Sequence, residues 1–414
     1  MQRLLASTMM LLMMTAALAG CAGSDITQDD VDDARAEGLA DGIAQATTVS
    51  TLDLIHQRGD LRCGVKTEQW GMGYRADENS SYQGLDVDYC KAIAAAIGLD
   101  PENDVTYVYA SGNERFNLLK DDTNILAEDY TGIDVLIRTT TWTASRDADQ
   151  NGDFAAINFY DGQNFLVNGD VLPNDGTPSI YDLAGASICV ATGTTTESNL
   201  QDWISDWDTS LGPAPTAVLY PEATPARAGF TGGECSAYTG DSSAMGAYKW
   251  QLDGSGDPTA CQLKDSNDAC VDLWIPSEFI SKEPLTAVVR DYDTEWKEVV
   301  QWVWYGMVTA EEMGITSDNH AAVLAHENVS AAETRFLSAS PWLGTTTNPV
   351  APTFMQDVLN AVGNYGEAYD RAFCDGTYDG HSGSTAMVDC VIPRANTQNA
   401  LVSEGGLMFA PAWK

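Results

Sequence analysis

IDVLIRTTTWTASR, residues 133–146, is the stretch on which the fold turns. Its first five residues are an aliphatic run broken by one aspartate, and they read as a buried strand. Four threonines follow within residues 139–143, with Arg138 on one side and Arg146 on the other. An open α/β sheet places its ligands beyond the carboxyl ends of its strands. Hydroxyls and free backbone N–H groups there can donate to a carboxylate, and an arginine can clamp it with two parallel bonds. Threonine is also a good strand former, so plain continuation of the strand over 139–143 fits the composition equally well. On strict alternation Arg138 points away from Thr139 and is structural or supports the site from behind the ligand-contacting residues.

Outward from this tract, strand-like and helix-like segments alternate. LRCGV (61–65), VTYVYA (105–110) and IDVLIR (133–138) read as strands, while GLDVDYCKAIAAAIG (84–98) and NERFNLLK (113–120) have helical spacing. A second series has FLVN (165–168), ASICVA (186–191), TAVLYP (216–221) and CSAYTG (235–240) as strands, with helices after Gly193 and over SSAMGAYKW. DLWIP and PLTAVV return to strand character. TEWKEVVQWVWYGMVTAEEMG (294–314) is a strong helix whose aromatic stripe reads as core packing. EATPARAGFTGG (222–233) reads as a helix interrupted by Gly and Pro, and DGSGDPTACQLKDSNDAC (253–270) is too polar for core. The alternation implies parallel βα units and two α/β lobes.

Two further stretches complete the chemistry. In ATGTTTES (191–198) a strand gives way to Gly193, three threonines and a helix start. Unpaired amides at a helix start form an anion site, and glycine allows close backbone approach. The same residues also read as a capping box, with a threonine as cap and Glu197 returning the bond. The loop has no lysine, so it is not a Walker A phosphate loop. In YTGDSSAMG, Asp241 opens a helix. It is either a cap or, across a cleft from Arg146, the anion for an ammonium. A cation site facing an anion site describes a receptor for a zwitterion.

The bulk properties narrow the class. The chain has 414 residues and 44% hydrophobic content, enough for more than one folding unit. Sixty acidic against 21 basic residues give a formal charge of -39, which repels phosphate backbones and speaks against nucleic acid as a partner. Residues 1–21, MQRLLASTMMLLMMTAALAGC, have the make-up of an export signal. Leu18-Ala19-Gly20-Cys21 resembles a lipobox, in which the chain is cut before Cys21 and its sulfur lipidated; an ordinary cut after Ala19 also fits. No later stretch approaches the ~20 apolar residues of a membrane helix. Nine cysteines less Cys21 leave eight, an even set in an exported chain. Cys63 ends a strand and Cys90 lies in the next helix, while Cys189 and Cys235 sit on two strands of the second series. Cys261/Cys270 and Cys374/Cys390 bracket polar loops. These read as four disulfides. There is no CxxC and the histidines are scattered, so no metal site is read. DADQNGD (147–153) begins like a calcium loop, but its twelfth position is Asn158 and not Glu, so it reads as a solvated turn.

Taken together, the chain resembles the solute-binding component of bacterial amino-acid ABC importers, in particular the general L-amino-acid-binding branch. STLDLIHQRGDLRCGV, GLDVDYCKAIAAA, NERFNLL, DVLIRTTTWTASRD, NFYDGQNFLV, ASICVATGTTTESNL, VGNYGEAYDR and GGLMFAPAW carry the resemblance. It implies a two-lobed periplasmic-binding-protein fold, type II-like, with a ligand cleft between lobes joined by two crossovers. It further implies that Arg146 grips an α-carboxylate, with Thr141, Thr194 and Thr195 as added donors. Asp241 would hold the α-ammonium, helped by Thr139, and Gln69 and Trp70 would line the side-chain pocket. Glu114 and Arg115 match the family without a derivable role.

The expected organisation is a signal peptide over 1–21, a flexible tether over 22–50, lobe I over 51–164, lobe II over 165–282, and a return to lobe I with a C-terminal extension over 283–414. Crossovers are expected near Phe165–Asn168 and Ser281–Pro284. The functional expectation is an exported, lipid-anchored receptor, without cofactor, that captures L-amino acids and delivers them to an ABC permease. The alternative is a periplasmic dehydratase or hydrolase on an amino-acid-like substrate, since fold does not settle function. The sequence offers the enzyme little. HExxH is absent, GHSGS (380–384) lacks the second glycine of GxSxG, and His56, His320, His326 and His381 fall outside the cleft motifs.

Overall fold

The computed structural model describes Arg35 and residues 49–120, 125–127, 129–150, 152–253, 261–378 and 390–414. Residues 1–50 and 51–414 are separate units. The signal segment, Cys21 and nearly all of the 22–50 tether lie outside the described residues.

The unit over 51–414 opens with α1 (Thr51–Arg58), β1 (Leu61–Val65), a hairpin of β2 (Glu68–Gln69) and β3 (Gly73–Tyr74), α2 (Leu85–Ala96) and β4 (Val105–Tyr109). Next come α3 (Arg115–Lys120), β5 (Val135–Leu136), α4 (Ala144–Asp149) and the long β6 (Gly152–Asn168). The second series is β7 (Ser187–Ala191), α5 (Thr195–Ser205), β8 (Thr216–Tyr220), α6 (Ala223–Thr231), β9 (Ala237–Asp241), α7 (Ser242–Asp253), β10 (Leu273–Trp274) and β11 (Ser281–Arg290). Helices α8 (Thr294–Glu312), α9 (His320–Ala325), α10 (Ala331–Ser338), α11 (Phe354–Val362) and α12 (Tyr365–Phe373) complete it.

The strands order as β4-β1-β5-β11-β6-β9-β7-β8, with β10 on β6. The expected parallel units are present, since β1 runs parallel to β4 and β5, and β7 parallel to β8 and β9. The two strands that join the halves are different. β6 and β11 run antiparallel to each other and to their outer neighbours. β6 pairs with β11 as far as Gln163 and with β9 from Gln163 onward.

FLVN is thus only the end of a 17-residue strand. Buried Asn158, Gln163 and Asn164 hide it from a hydrophobic pattern. Each amide has a partner: Asp86 at 3.1 Å, Thr239 Oγ1 at 3.1 Å and the Pro276 carbonyl at 3.0 Å, as burial requires. Helix α6 is also less interrupted than its sequence implies. Pro225 falls in its first turn, where an N–H would have no intrahelical acceptor. Asp147–Asp149 end α4 and Gly152 starts β6, so the aspartate-rich stretch is largely a helix end and not a turn.

The core of the first half is built on α8. Trp296 and Trp304 are fully buried, Trp296 Nε1 donates to the Asp134 carbonyl at 3.0 Å, and Trp304 packs between Tyr89 and Tyr365. Near the C-terminus, Trp413 packs against Trp302, Phe336 and Phe354. Disulfides join Cys63–Cys90, Cys189–Cys235, Cys261–Cys270 and Cys374–Cys390. None of the described helices is long and apolar enough to cross a membrane.

Candidate ligand-binding site

Residues from the strand ends of both halves meet at a cavity of about 80 Å³, small beside the ~300–1,000 Å³ of drug-sized sites. Seven of the eight ligand-binding residues expected from the sequence line it: Gln69, Thr139, Thr141, Arg146, Thr194, Thr195 and Asp241. Trp70 does not. It is buried edge-on against Tyr74 and Trp250, with ring centroids 5.4 and 4.7 Å apart, and packs the β2–β3 hairpin onto α7. Lys66, Arg115 and Arg138 join the lining, and none of them was assigned a ligand from the sequence. His56, His320 and His326 do not line the cavity, and His381 lies outside the described residues.

The threonine tract mixes both readings. The Thr286 N–H donates to the Thr140 carbonyl at 3.0 Å and the Trp142 N–H to the Pro284 carbonyl at 2.9 Å, so the tract does pair along β11. At Thr139, however, φ is 47°, a left-handed conformation that breaks side-to-side alternation. Arg138, expected to point away, therefore shares the cavity with Thr139. Thr139 Oγ1 is buried with no hydrogen-bond partner among the described residues.

Thr143 caps α4 by accepting the Arg146 N–H at 3.2 Å, and Arg146 Nη1 donates to the Thr141 carbonyl at 2.9 Å. The guanidinium is thereby folded back over the tract. Burial pulls its pKa down to about 10, opposed by the Glu283 carboxylate and assisted by Arg138.

At α5 the capping reading holds for Thr194. Its hydroxyl accepts the Glu197 N–H at 3.1 Å and donates to the Ala191 carbonyl at 2.9 Å, while Glu197 takes the Gly193 N–H at 2.8 Å. Gly193 sits at φ 69°, and a Cβ there would stand 2.3 Å from Asn113 Oδ1. The amides of Thr195 and Thr196 belong to the first turn, which leaves them without intrahelical acceptors.

Sequence reasoning missed Glu283. This buried carboxylate on β11 accepts from Thr141 Oγ1 at 2.5 Å, Thr195 Oγ1 at 3.1 Å, Asn199 Nδ2 at 2.7 Å and Ser281 Oγ at 2.6 Å. The hydroxyl protons expected for a ligand's carboxylate therefore go to Glu283. The available signal was a charged residue inside the strand SKEPLTAVVR, where a buried carboxylate must find donors.

A carboxylate other than Asp241 takes the Ser243 N–H. The opening of α7 is satisfied by Asp161, whose two oxygens accept the Ser243 N–H at 3.3 and 3.4 Å. Burial and the neighbouring Asp241 charge together push the Asp161 carboxyl upward. Lys66 Nζ stands 3.8 Å from Asp241 Oδ2 and donates to Gln69 Oε1 at 2.5 Å. Gln69 Nε2 in turn donates to Ser243 Oγ at 3.1 Å, tying the hairpin to α7.

Comparison with known proteins agrees with this architecture. The family model described as bacterial extracellular solute-binding proteins, family 3, matches residues 61–321. The glutamate/glutamine/aspartate/asparagine-binding protein BztA of Rhodobacter capsulatus is 36% identical over 376 residues, which is 91% of this chain and 97% of that one. The general L-amino acid-binding periplasmic protein AapJ of Rhizobium johnstonii is 32% identical over 370 residues, 89% of this chain and 94% of that one. A solved structure, an ABC transporter periplasmic binding protein from Brucella ovis with glutathione bound, aligns with a TM-score of 0.71 at 33% identity, covering 89% of this chain and 100% of that one. The two-lobed binding-protein fold expected from the sequence is thus the fold observed. The chain belongs to family 3 of the bacterial extracellular solute-binding proteins.

Proposed function

We propose that this chain is the receptor of an ABC importer, capturing free L-amino acids between two lobes and handing them to a membrane permease. The observation that carries the reading is that Arg146 and Asp241, from opposite halves of the sheet, line one small cavity. The α-carboxylate goes to the Arg146 guanidinium and the first-turn amides of α5, a charge-assisted arrangement. The α-ammonium goes to Asp241, with the unpartnered Thr139 Oγ1 as a second acceptor. Thr141 and Thr195, bound through their hydroxyls to Glu283, hold the walls in place. BztA and AapJ are named for amino-acid ligands, and glutathione carries an amino-acid head group at its γ-glutamyl end.

The lobes are 51–164 with 283–414, and 165–282. They close about Gln163 and Ser281, which pair where the β6 ladder passes to β9. Residues 1–21 direct export and Cys21 takes the lipid; mass spectrometry of the exported protein should find an acylated Cys21 at its N-terminus.

Calorimetric titration with the twenty L-amino acids tests the receptor reading. Several should bind with Kd near ~1 µM, and Arg146→Ala should weaken that binding by more than about tenfold. Chromatography after long incubation should return the ligand unchanged, and consumption of the ligand would move the reading to the enzyme class.

A further inference from the structure

The cavity holds more positive charge than a zwitterion uses. Among the described residues its lining carries Lys66, Arg115, Arg138 and Arg146 against the single carboxylate of Asp241, in a chain whose formal charge is -39. Three of these cations have local company. Lys66 stands 3.8 Å from Asp241. Arg146 donates to the Thr141 carbonyl and feels the Glu283 charge. Arg115 donates to the Gly112 carbonyl and feels Glu222.

Arg138 has no such company. It is 8% exposed, its Nε has no hydrogen-bond partner among the described residues, and no described carboxylate forms an ion pair with it. Asp86, whose charge it feels, is committed to the Thr139 N–H and to Asn158. With no carboxylate in direct contact, the Arg138 guanidinium is available to an arriving anion.

We propose that Arg138 receives a second carboxylate on the ligand, so that the site prefers α-amino acids with an acidic side chain, glutamate or aspartate, over their amides. This rests on the receptor reading and deepens it. Arg146 takes the α-carboxylate, and Arg138, with Arg115 beside it, takes the side-chain carboxylate. An acid brings one more negative charge to a lining with four cations and one anion, whereas an amide brings none. A guanidinium fork also matches both oxygens of a carboxylate, but only the one oxygen of an amide.

The test is calorimetry with L-glutamate, L-aspartate, L-glutamine and L-asparagine on the whole exported chain, unsubstituted and as Arg138→Gln and Arg138→Lys. The unsubstituted protein should hold an acid roughly 10- to 100-fold more tightly than its amide, the range of one charge-assisted pair. Arg138→Gln should bring acid and amide to within about threefold, mainly by weakening the acid, and Arg138→Lys should restore part of the preference. Thermal unfolding without ligand should be unchanged or raised in Arg138→Gln, because a cation that no carboxylate touches is gone. Amides bound as tightly as acids, or a preference that survives Arg138→Gln, overturns the inference and leaves the receptor reading standing. Binding of none of the twenty amino acids overturns both.

Discussion

Arginines are buried in two regions of this molecule and do opposite things in them. Away from the cavity Arg58, Arg290, Arg371 and Arg394 each have a carboxylate. Arg58 donates to Asp134, which also lies 3.9 Å from Arg290 and accepts the Arg62 N–H at 2.8 Å. Arg371 reaches Asp88 at 2.6 Å, and Arg394 reaches Glu311 at 2.6 Å. Around the cavity Arg115, Arg138 and Arg146 share one pocket and depress one another's proton affinity at Arg115 and Arg146, beyond what burial does. The first set ties helices to strands, and the second crowds positive charge into the cavity proposed above for the solute. Pairing, more than burial, separates an arginine that builds from one that binds.

The largest effect should come from the structural set. Asp134→Ala leaves Arg58 and Arg290 without their shared carboxylate and should lower unfolding stability by ~3–5 kcal/mol, read from the denaturant midpoint. Ligand affinity of the folded fraction should not change. Arg146→Ala should do the reverse, weakening binding by roughly 2–5 kcal/mol while the ligand-free midpoint stays put. A collapse in stability there would place Arg146 with the builders and break the comparison.

Glu283→Gln probes the boundary, because its carboxylate answers donors from both halves. An amide can accept from fewer of them, so affinity should fall by ~1–3 kcal/mol with a smaller change in unfolding. Equal losses in both readouts would make Glu283 a purely structural residue.

The smallest effect concerns pH. Burial pushes the Asp86 carboxyl up to about 6, against the pull of Lys66 and Arg138. The folded state therefore holds this proton more tightly than the unfolded chain, where aspartate titrates near ~4. The associated stability is complete below ~4 and is lost as pH rises through about 6. Asp86→Asn should flatten the stability profile across that window, and an unaltered slope would contradict the assignment.

Much of this was legible in the sequence because local rules agreed with the fold. The strand before the threonine tract, the capped start of α5 and all four disulfides followed from spacing and chain position. The failures share a cause. Arg138 was turned away by an alternation that Thr139 breaks at φ 47°. β6 was cut short because its buried amides look like loop residues until their partners are known. Glu283 takes hydroxyl protons expected for the ligand, and Asp161 takes the Ser243 N–H that a capping Asp241 could have taken, since only the folded chain brings these donors within reach.

The central claim meets its most direct test in a crystal structure of the chain with its tightest-binding amino acid. The account predicts the main-chain acid of that guest on the Arg146 guanidinium and its amine against Asp241. A guest seated outside this cavity, or one whose amine shuns Asp241, would contradict it.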